Sequence, residues 1–297
     1  MANGNMKDFA ERFYKSTDGL TLYVRDYQPA TGDTGRLPVI CLPGLTRNSR
    51  DFHDLALLLS RDATSPQRVI ALDYRGRGMS ERDENKANYN LAVEGGDVIA
   101  ACAAFGINRA IFIGTSRGGL ILHLLAATRL GLLAGVIFND IGAVIEPAGL
   151  MAIRDYLNRS RKPRTWSDAV DILKENLAAA FPALGANDWW EMARAIYRET
   201  NGIPVADYDP AIAEQLKTID FNGPLPDLWP QFEELRSTPL LVIRGENSNL
   251  LSLETTDEMT KRHPNMVQIT AKGQGHAPLL HLGDIPEAIR TFIGRLS

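Results

Sequence analysis

The sequence predicts an α/β protein with a mostly parallel, doubly wound sheet and a helical insertion. Short apolar runs typical of strands alternate with stretches of helical spacing, first up to about residue 140 and again near the end of the chain. Strands joined by helices form parallel sheets that are covered on both faces. Between them, the strand pattern gives way to helical stretches rich in Ala, Leu, Trp and Arg. We expect a core, residues 1–143 and 237–297, interrupted after the sixth strand by an insertion, residues 144–236.

The elements before the insertion are predicted in order from periodicity and turn residues. Strands 13–16 and 20–27 flank Asp18-Gly19, a pair typical of a hairpin turn. Continuous apolar runs predict buried strands, and apolar residues at helical spacing predict helices. These are strand 37–42, helix 52–60, strand 69–73, helix 90–105 with Asn90 as its N-cap, strand 110–114, a helix to about 129 and strand 136–139.

The alternation of strand and helix resumes after the insertion. The predicted elements are strand 239–244, helix 253–262, strand 266–270 and helix 285–296. The simplest interpretation is one α/β core with a helical insertion, and not two domains in series.

Composition and charge argue against several classes of function. The net charge of −4 over 297 residues gives no basic excess for nucleic acid or an anionic membrane. No apolar run has the length of a membrane span, and residues 1–15 lack the apolar centre of a signal peptide. The two cysteines, Cys41 and Cys102, are too few for a disulfide framework or zinc cluster. We expect a cytoplasmic protein with no metal or cofactor, acting on a small molecule; the oligomeric state stays open.

Residues 114–118 carry the motif that points to chemistry. Gly114-Thr115-Ser116-Arg117-Gly118 fits the pattern G-x-S-x-G, directly after a predicted strand and directly before a helix. This is the setting of a nucleophile elbow, a sharp turn that raises a serine hydroxyl above the sheet. Side chains at positions 114 and 118 would collide with neighbouring backbone, which explains the glycines. The alternative is a glycine-rich turn without chemistry, so the interpretation depends on a partner for Ser116.

A nucleophilic serine needs a base, and His276 is the best placed of the five histidines. It follows a predicted strand and lies in a glycine-containing loop just before the last helix. A loop at the carboxyl edge of the sheet can bring an imidazole over Ser116. His281 is the alternative. The other three lie where packing or capping is the commoner outcome: His53, His123 and His263.

Together these motifs resemble those of the α/β-hydrolase fold superfamily, in particular its small bacterial cap-bearing serine hydrolases. The matching segments occur in the family's order from about residue 20 to the end. They are Leu42-Pro43-Gly44-Leu45, residues 73–80, residues 114–118, residues 244–248 and Gly275-His276-Ala277-Pro278. The resemblance is specific for the fold and says little about the substrate.

The resemblance also implies an oxyanion hole made of two backbone amides, those of Leu45 and Arg117. One lies on the loop after the third strand, and the other directly follows the nucleophile. The family often has His-Gly before the loop residue, whereas this chain has Pro43-Gly44. Because the backbone supplies the donor, we expect the hole to be kept.

The acid that would orient His276 is the open question. Most relatives carry it as an Asp on the loop after the strand that here ends near residue 244, but this chain has Asn249 there, with Glu246 nearby. An amide can hold an imidazole but brings no charge to stabilise an imidazolium. Some members of the superfamily, among them haloalkane dehalogenases and certain lipases, take the acid from the end of the strand before the insertion, which here is Asp140. We favour Asp140, with Glu246 and Asn249 as alternatives.

The insertion begins just after Asp140, so it should emerge beside Ser116 and His276 and act as a cap over the site. Its aromatic residues are the candidates for lining an apolar substrate pocket, although we expect at least half of them to pack the insertion's own core. These residues are Trp166, Trp189, Trp190 and Tyr197.

The predicted function is a serine hydrolase of small to medium, fairly apolar carboxylic esters or lactones, acting through an acyl-enzyme on Ser116. A carbon–carbon bond hydrolase of ring-cleavage products shares the carbonyl chemistry and is the main alternative. An acyltransferase, or a non-catalytic receptor-like member of the fold, has less support. Epoxide hydrolases and dehalogenases are disfavoured because they need a carboxylate at position 116.

Overall fold

The computed structural model describes residues 8–29, 31–32, 34–159, 161–218, 223 and 225–296. In chain order its strands are β1 Ala10–Lys15, β2 Thr21–Tyr27, β3 Val39–Leu42, β4 Val69–Asp73, β5 Ala110–Thr115, β6 Leu133–Asn139, β7 Tyr197–Thr200, β8 Ile203–Ala206, β9 Leu240–Gly245 and β10 Met266–Ala271. Its α-helices are α1 His53–Ser60, α2 Leu91–Ala104, α3 Arg117–Arg129, α4 Pro147–Arg159, α5 Trp166–Leu177, α6 Ala186–Ile196, α7 Pro210–Glu214, α8 Trp229–Glu234, α9 Leu253–Arg262 and α10 Ile285–Gly294.

Eight of the strands form one sheet in the order β1-β2-β4-β3-β5-β6-β9-β10. Pairs β1–β2 and β2–β4 are antiparallel, and every other pair in this sheet is parallel. The predicted α/β fold with a mostly parallel sheet is confirmed. Because the parallel strands run in one direction, the loops that follow β3, β5, β6, β9 and β10 meet at one edge of the sheet.

Helices cover both faces of the sheet, and each face has its own hydrophobic core. Residues of α2, α3 and α8 pack with one set of strand side chains, and residues of α1 and α10 pack with the other. The continuous apolar runs of the central strands follow from this double burial; every residue of β6 is buried. The predicted N-cap of α2 is also confirmed, because the Asn90 side chain accepts a hydrogen bond from the Val93 amide at 3.0 Å.

The segment between β6 and β9 contains α4 to α8 and a two-stranded hairpin of β7 and β8. Helices α5 and α6 pack on each other around a small core of their own, which includes Val170, Leu173 and Met192. The hairpin corrects the sequence analysis, which found almost no strand pattern here. Its turn is Asn201-Gly202, with both residues at positive φ, and this dipeptide is the strongest short signal for a hairpin. No helix in the described ranges is long and apolar enough to cross a bilayer.

Candidate active site

Ser116 lies in a tight turn between the end of β5 and the first residue of α3. Its φ of 50° is in a region that non-glycine residues rarely adopt. The neighbouring glycines make this turn possible. A Cβ at Gly118 would lie 2.2 Å from the carbonyl oxygen of Leu42, and one at Gly114 would lie 2.7 Å from the backbone of Gly118. The predicted collision of any side chain at positions 114 and 118 is thus confirmed.

His276 reaches Ser116 from the loop between β10 and α10. Its Nε2 atom lies 2.9 Å from Ser116 Oγ, and its Nδ1 atom lies 2.8 Å from Asp140 Oδ2. An ionised carboxylate only accepts hydrogen bonds, so Nδ1 carries the proton and Nε2 is left to accept from the serine hydroxyl. The structure therefore brings the serine, histidine and aspartate of the sequence analysis into one hydrogen-bonded chain.

Asp140 is the buried end of this series of hydrogen bonds. It directly follows β6, has a φ of 54°, and its side chain has no exposed surface. Besides His276, the carboxylate accepts from the Gly245 amide at 2.8 Å and from Ser248 Oγ at 2.6 Å. A buried carboxylate needs such donors, because each unsatisfied lone pair adds to the cost of removing the charge from water.

The two alternative acids lie elsewhere. Glu246 is exposed and accepts from the Gly273 amide at 2.7 Å and from Lys272 Nζ at 3.1 Å. These two contacts, the amide first, lower the pKa of the Glu246 carboxyl below its usual value. Asn249 is exposed on the wall of the cavity beside Ser116. Within the described residues, His276 makes its carboxylate contact with Asp140 and with neither of these side chains.

Ser116 and His276 open into a cavity of about 460 Å³. Leu45, from the loop after β3, lines the same cavity. Arg117 is the first residue of α3, so its amide has no carbonyl partner within the helix. Much of the wall is apolar, and α4, α5, α6 and the loop after His276 all contribute to it. Its apolar side chains include Ile153, Leu157, Leu177, Phe181, Met192, Ile196, Leu279 and Leu280.

Few charged groups line this cavity. Arg47 donates to Asp51 through Nε and Nη2, at 2.7 and 2.6 Å, so its charge is matched within the wall. Asp155 is the other carboxylate there. Among the described residues no group of three or more His, Cys, Asp and Glu side chains is arranged to hold a metal ion.

Comparison with known proteins identifies the family. The model of the Alpha/beta hydrolase family matches residues 39–288. This chain belongs to that family. The fold and the superfamily resemblance predicted from the motifs are thereby confirmed, and the protein is a member of a family of hydrolases.

Individual relatives of this α/β hydrolase are also hydrolases. The chain is 29% identical to a 3-hydroxybutyrate-oligomer hydrolase from Cupriavidus necator, over 81% of this chain and 82% of the relative. It is 26% identical to a 2-(acetamidomethylene)succinate hydrolase from Mesorhizobium japonicum, over 78% and 79%. A solved α/β hydrolase from Novosphingobium aromaticivorans is 37% identical, with a TM-score of 0.89 over 98% of this chain and 100% of that chain.

None of the four candidate aromatic residues lines the cavity beside Ser116, and their positions agree with the expectation that at least half of them pack the insertion's own core. Trp189 and Tyr197 are buried in the core of α5 and α6, and Trp166 and Trp190 pack against that core. Trp166, Trp190 and Tyr197 also border an open groove on the surface of the insertion. The physical reason is that a small helical unit needs its largest side chains for its own core, which leaves mostly aliphatic side chains to face the cavity.

The structure also reveals supporting residues that the sequence analysis missed. Ser248 holds Asp140, and its hydroxyl in turn accepts from the Leu250 and Leu251 amides at 3.1 and 3.2 Å. Asn139 donates to the carbonyl of Pro278 at 3.0 Å and so ties β6 to the His276 loop. The sequence carries no motif for either contact, because each joins residues more than 100 positions apart.

Proposed function

We propose that this hydrolase cleaves a carboxylic ester or lactone through an acyl-enzyme on Ser116. The observation that carries the proposal is the chain of hydrogen bonds from Ser116 to His276 to Asp140, at 2.9 and 2.8 Å, with the serine open to a cavity. Ser116 Oγ attacks the carbonyl carbon as His276 Nε2 takes its proton. The resulting imidazolium is stabilised by Asp140 and then protonates the leaving alkoxide, and water releases the acyl group by the same steps.

The tetrahedral intermediate needs donors for its oxyanion. We assign this role to the backbone amides of Leu45 and Arg117, which flank Ser116 from the loop after β3 and from the start of α3. Helix α3 begins at Arg117, so its N-terminal dipole also favours negative charge at this point. Preorganised donors of this kind contribute about 3 kcal/mol each to the stabilisation of the transition state.

The shape and lining of the cavity support a small to medium, fairly apolar substrate. Its volume of about 460 Å³ is within the usual range for small-molecule sites, roughly 300–1,000 Å³. We propose that the insertion, residues 144–236, acts as the cap, because α4, α5 and α6 all contribute apolar residues to the wall of the cavity that Ser116 lines. A cap in this position excludes water and strengthens the electrostatic contacts with the reacting carbonyl.

One relative favours an ester substrate whose acyl group comes from an aliphatic hydroxy acid. One relative is named for its action on oligomers of 3-hydroxybutyrate, and hydroxy acids in an oligomer are joined by ester bonds. A short aliphatic chain of this kind suits a wall of Ile, Leu and Met side chains. Within the described residues, the charge of Arg47 on the cavity wall is matched by Asp51, which favours a neutral acyl group.

A substrate panel on the wild type and Ser116→Ala tests the proposal. The panel contains p-nitrophenyl esters, lactones, short 3-hydroxybutyrate oligomers and vinylogous diketones. We expect turnover of the esters and a loss of about 10⁴- to 10⁶-fold in kcat for Ser116→Ala. Ser60→Ala, in α1 and outside the cavity, is the matched control. Turnover of diketones with no turnover of esters would favour the carbon–carbon hydrolase and overturn the proposal.

Covalent labelling adds a test that needs no knowledge of the substrate. A fluorophosphonate reacts with a serine that an imidazole activates, so the wild type should be labelled and Ser116→Ala should not. Labelling that persists in Ser116→Ala would contradict the assignment of the nucleophile.

A further inference from the structure

We infer that Glu94 is a positioning residue that fixes the two backbone amides of the oxyanion hole relative to each other. This inference rests on the proposed function, because it concerns the stabilisation of the oxyanion at Ser116. Glu94 lies on α2, outside the cavity and without exposed surface. It therefore acts through other residues and does not touch the substrate.

One carboxylate holds two arginines. Glu94 Oε2 accepts from Arg117 Nε at 2.6 Å, and Oε1 accepts from Arg77 Nη1 at 2.9 Å. The Arg77 side chain is fully buried and that of Arg117 is 12% exposed. Charge-assisted hydrogen bonds of this kind are short and directional, and in a buried setting they restrict the positions of their partners.

Each arginine leads to one side of the proposed oxyanion hole. Arg77 Nε donates to the carbonyl oxygen of Leu45 at 2.5 Å, which anchors the loop after β3. Arg117 carries the second amide on its own backbone, directly after Ser116. The path from Leu45 through Arg77 and Glu94 to Arg117 thus joins the residues of the two donors by three hydrogen bonds, through side chains that do not line the cavity.

The charges of this cluster allow positioning to be distinguished from a direct electrostatic effect. Arg77 and Arg117 carry two positive charges and Glu94 one negative charge, so removing the carboxylate raises the positive charge near the oxyanion. If charge alone mattered, Glu94→Gln would leave kcat unchanged or raise it. If position matters, Glu94→Gln lowers kcat, because the amide group of Gln offers one acceptor and must present an N–H₂ group to the second arginine.

Asp97 provides a matched control on the same helix. It lies three residues further along α2, is 2% exposed, and accepts from Arg75 Nε and Nη2, both at 2.7 Å. The side chain of Arg75 also contacts Asp18 and Asp83 and not Leu45 or Arg117. Asp97→Asn therefore removes a buried carboxylate from α2 without breaking the path between the two amides.

The experiment measures kcat and KM for a p-nitrophenyl ester and the Ki of a trifluoromethyl ketone. The ketone forms a hemiketal oxyanion on the serine, so its affinity reports on the oxyanion hole. For Glu94→Gln we expect kcat to fall about 10- to 100-fold, with KM changed by less than about 3-fold. The Ki should weaken by the same factor as kcat/KM.

Arg117→Gln keeps the backbone amide but removes the side-chain arm to Glu94. It should reproduce the effect of Glu94→Gln, and the double variant should be no worse than either, because both break the same path. Since Arg117 is partly exposed, this variant also carries the test if Glu94→Gln fails to fold. Asp97→Asn should keep kcat and Ki within about 3-fold of the wild type.

Two results would overturn the inference. One is an unchanged or higher kcat in both Glu94→Gln and Arg117→Gln. The other is an equal loss of kcat in Glu94→Gln and Asp97→Asn at equal loss of thermal stability, which would show a general structural role. Failure of the proposed function is distinguishable from both results, because then the wild type would lack esterase activity or Ser116→Ala would retain it.

Discussion

At the scale of single residues, this site differs from the family pattern in the position of the proposed acid. In relatives that the sequence resembles, the loop after β9 carries the acid. Here the last residue of β9 and the loop after it supply donors, since the Gly245 amide and the Ser248 hydroxyl both donate to the Asp140 carboxylate. We propose that the acid is instead Asp140, directly after the neighbouring strand β6, whose carboxylate contacts His276. Because β6 and β9 are adjacent and parallel in the sheet, residues that follow the two strands lie close together at its carboxyl edge.

Asp140→Asn tests the identity of the acid. Three donors surround this carboxylate, those of Gly245, Ser248 and His276, and the N–H₂ group of an asparagine cannot accept from any of them. The substitution therefore disturbs the hydrogen bonds that set the tautomer of His276. It also removes the negative charge that stabilises the imidazolium. We expect kcat to fall by about 10³- to 10⁴-fold with the fold retained. Glu246→Gln is the control and should stay within about 2-fold. Steady-state kinetics with circular dichroism decide, and the reverse pattern would identify Glu246 as the acid.

Site residues that lie in a motif or at the end of a strand could be predicted from the sequence. Residues whose role depends only on contacts between distant segments could not. Ser116 is marked by its glycines, His276 by its loop before the last helix, and Asp140 by its place after β6. Glu94 has no such mark. Its two bonds join α2 to Arg77 and Arg117, 17 and 23 residues away, and α2 reads as an ordinary packed helix.

At the scale of elements, the turn between β5 and α3 depends on close backbone packing. Helix α3 packs directly against β5, and α3 approaches the end of β3 so closely that the carbonyl of Leu42 occupies the space of a Gly118 side chain. The sequence predicted this feature because glycine spacing reflects it directly. The strained φ of Ser116 is maintained by this packing, with the Ser116 amide also donating to the carbonyl of Asn139 at 3.1 Å.

Two glycine-to-alanine variants should separate this packing from ordinary helix propensity. Gly118→Ala places a methyl group 2.2 Å from a backbone oxygen, so we expect it to destabilise the protein by about 3 kcal/mol or more and to abolish labelling of Ser116. Gly96, inside α2, has no atom within 4 Å of the added Cβ. Gly96→Ala should therefore stabilise the protein by about 0.5–1 kcal/mol. Urea denaturation measures both changes, and equal effects would contradict the packing argument.

The hairpin of β7 and β8 shows where element prediction failed and why. Its strands are only four residues long, and most of their residues are exposed, so they lack the apolar alternation that marks a buried strand. The turn residues Asn201 and Gly202 were a sufficient signal, since both adopt the positive φ that a tight hairpin turn needs. Turn chemistry was more informative here than hydrophobic pattern.

At the scale of the whole molecule, a few buried or partly buried polar contacts join the insertion to the core. Asn48, next to the proposed oxyanion loop, donates to the carbonyl of Ala195 at 3.1 Å. Arg50 donates to the same carbonyl at 3.2 Å and pairs with Asp207 at 2.7 Å. The partners lie about 150 residues apart in the sequence, so neither periodicity nor the order of motifs could predict these contacts. They place α6 against the loop that begins the cavity wall.

At this scale, the burial of His123 should lower the stability of the molecule in mild acid, and His53, whose pKa burial also lowers, should act in the same direction. His123 is 1% exposed inside α3 and stacks on Phe138 at 4.6 Å. Burial lowers the pKa of its imidazole from 6.5 to about 4. The unfolded chain therefore binds a proton at a higher pH than the folded protein does, so the contribution of neutral His123 is complete above pH 6.5 and is lost as the pH falls towards 4.

Carboxylates contribute differently in this range. The hydrogen bond with Arg75 is the main cause that lowers the pKa of Asp18 from 3.8 to about 2. The stability that ionised Asp18 contributes is therefore lost only as the pH falls from about 3.8 towards 2. Burial raises the pKa of Asp73 and of Asp97, so these two groups oppose the effect of His123 as the pH falls. A comparison with a non-titrating variant at position 123 is therefore needed to isolate the histidine.

His123→Phe is that variant, because it keeps the stacked ring and removes the titrating group. From a pKa difference of about 2.5, the wild type should lose about 2 kcal/mol more unfolding free energy than His123→Phe between pH 7 and pH 4.5. Urea denaturation of both proteins at the two pH values measures this difference. Parallel losses in the two proteins would show that the acid sensitivity comes from other groups and that His123 is protonated within the folded core.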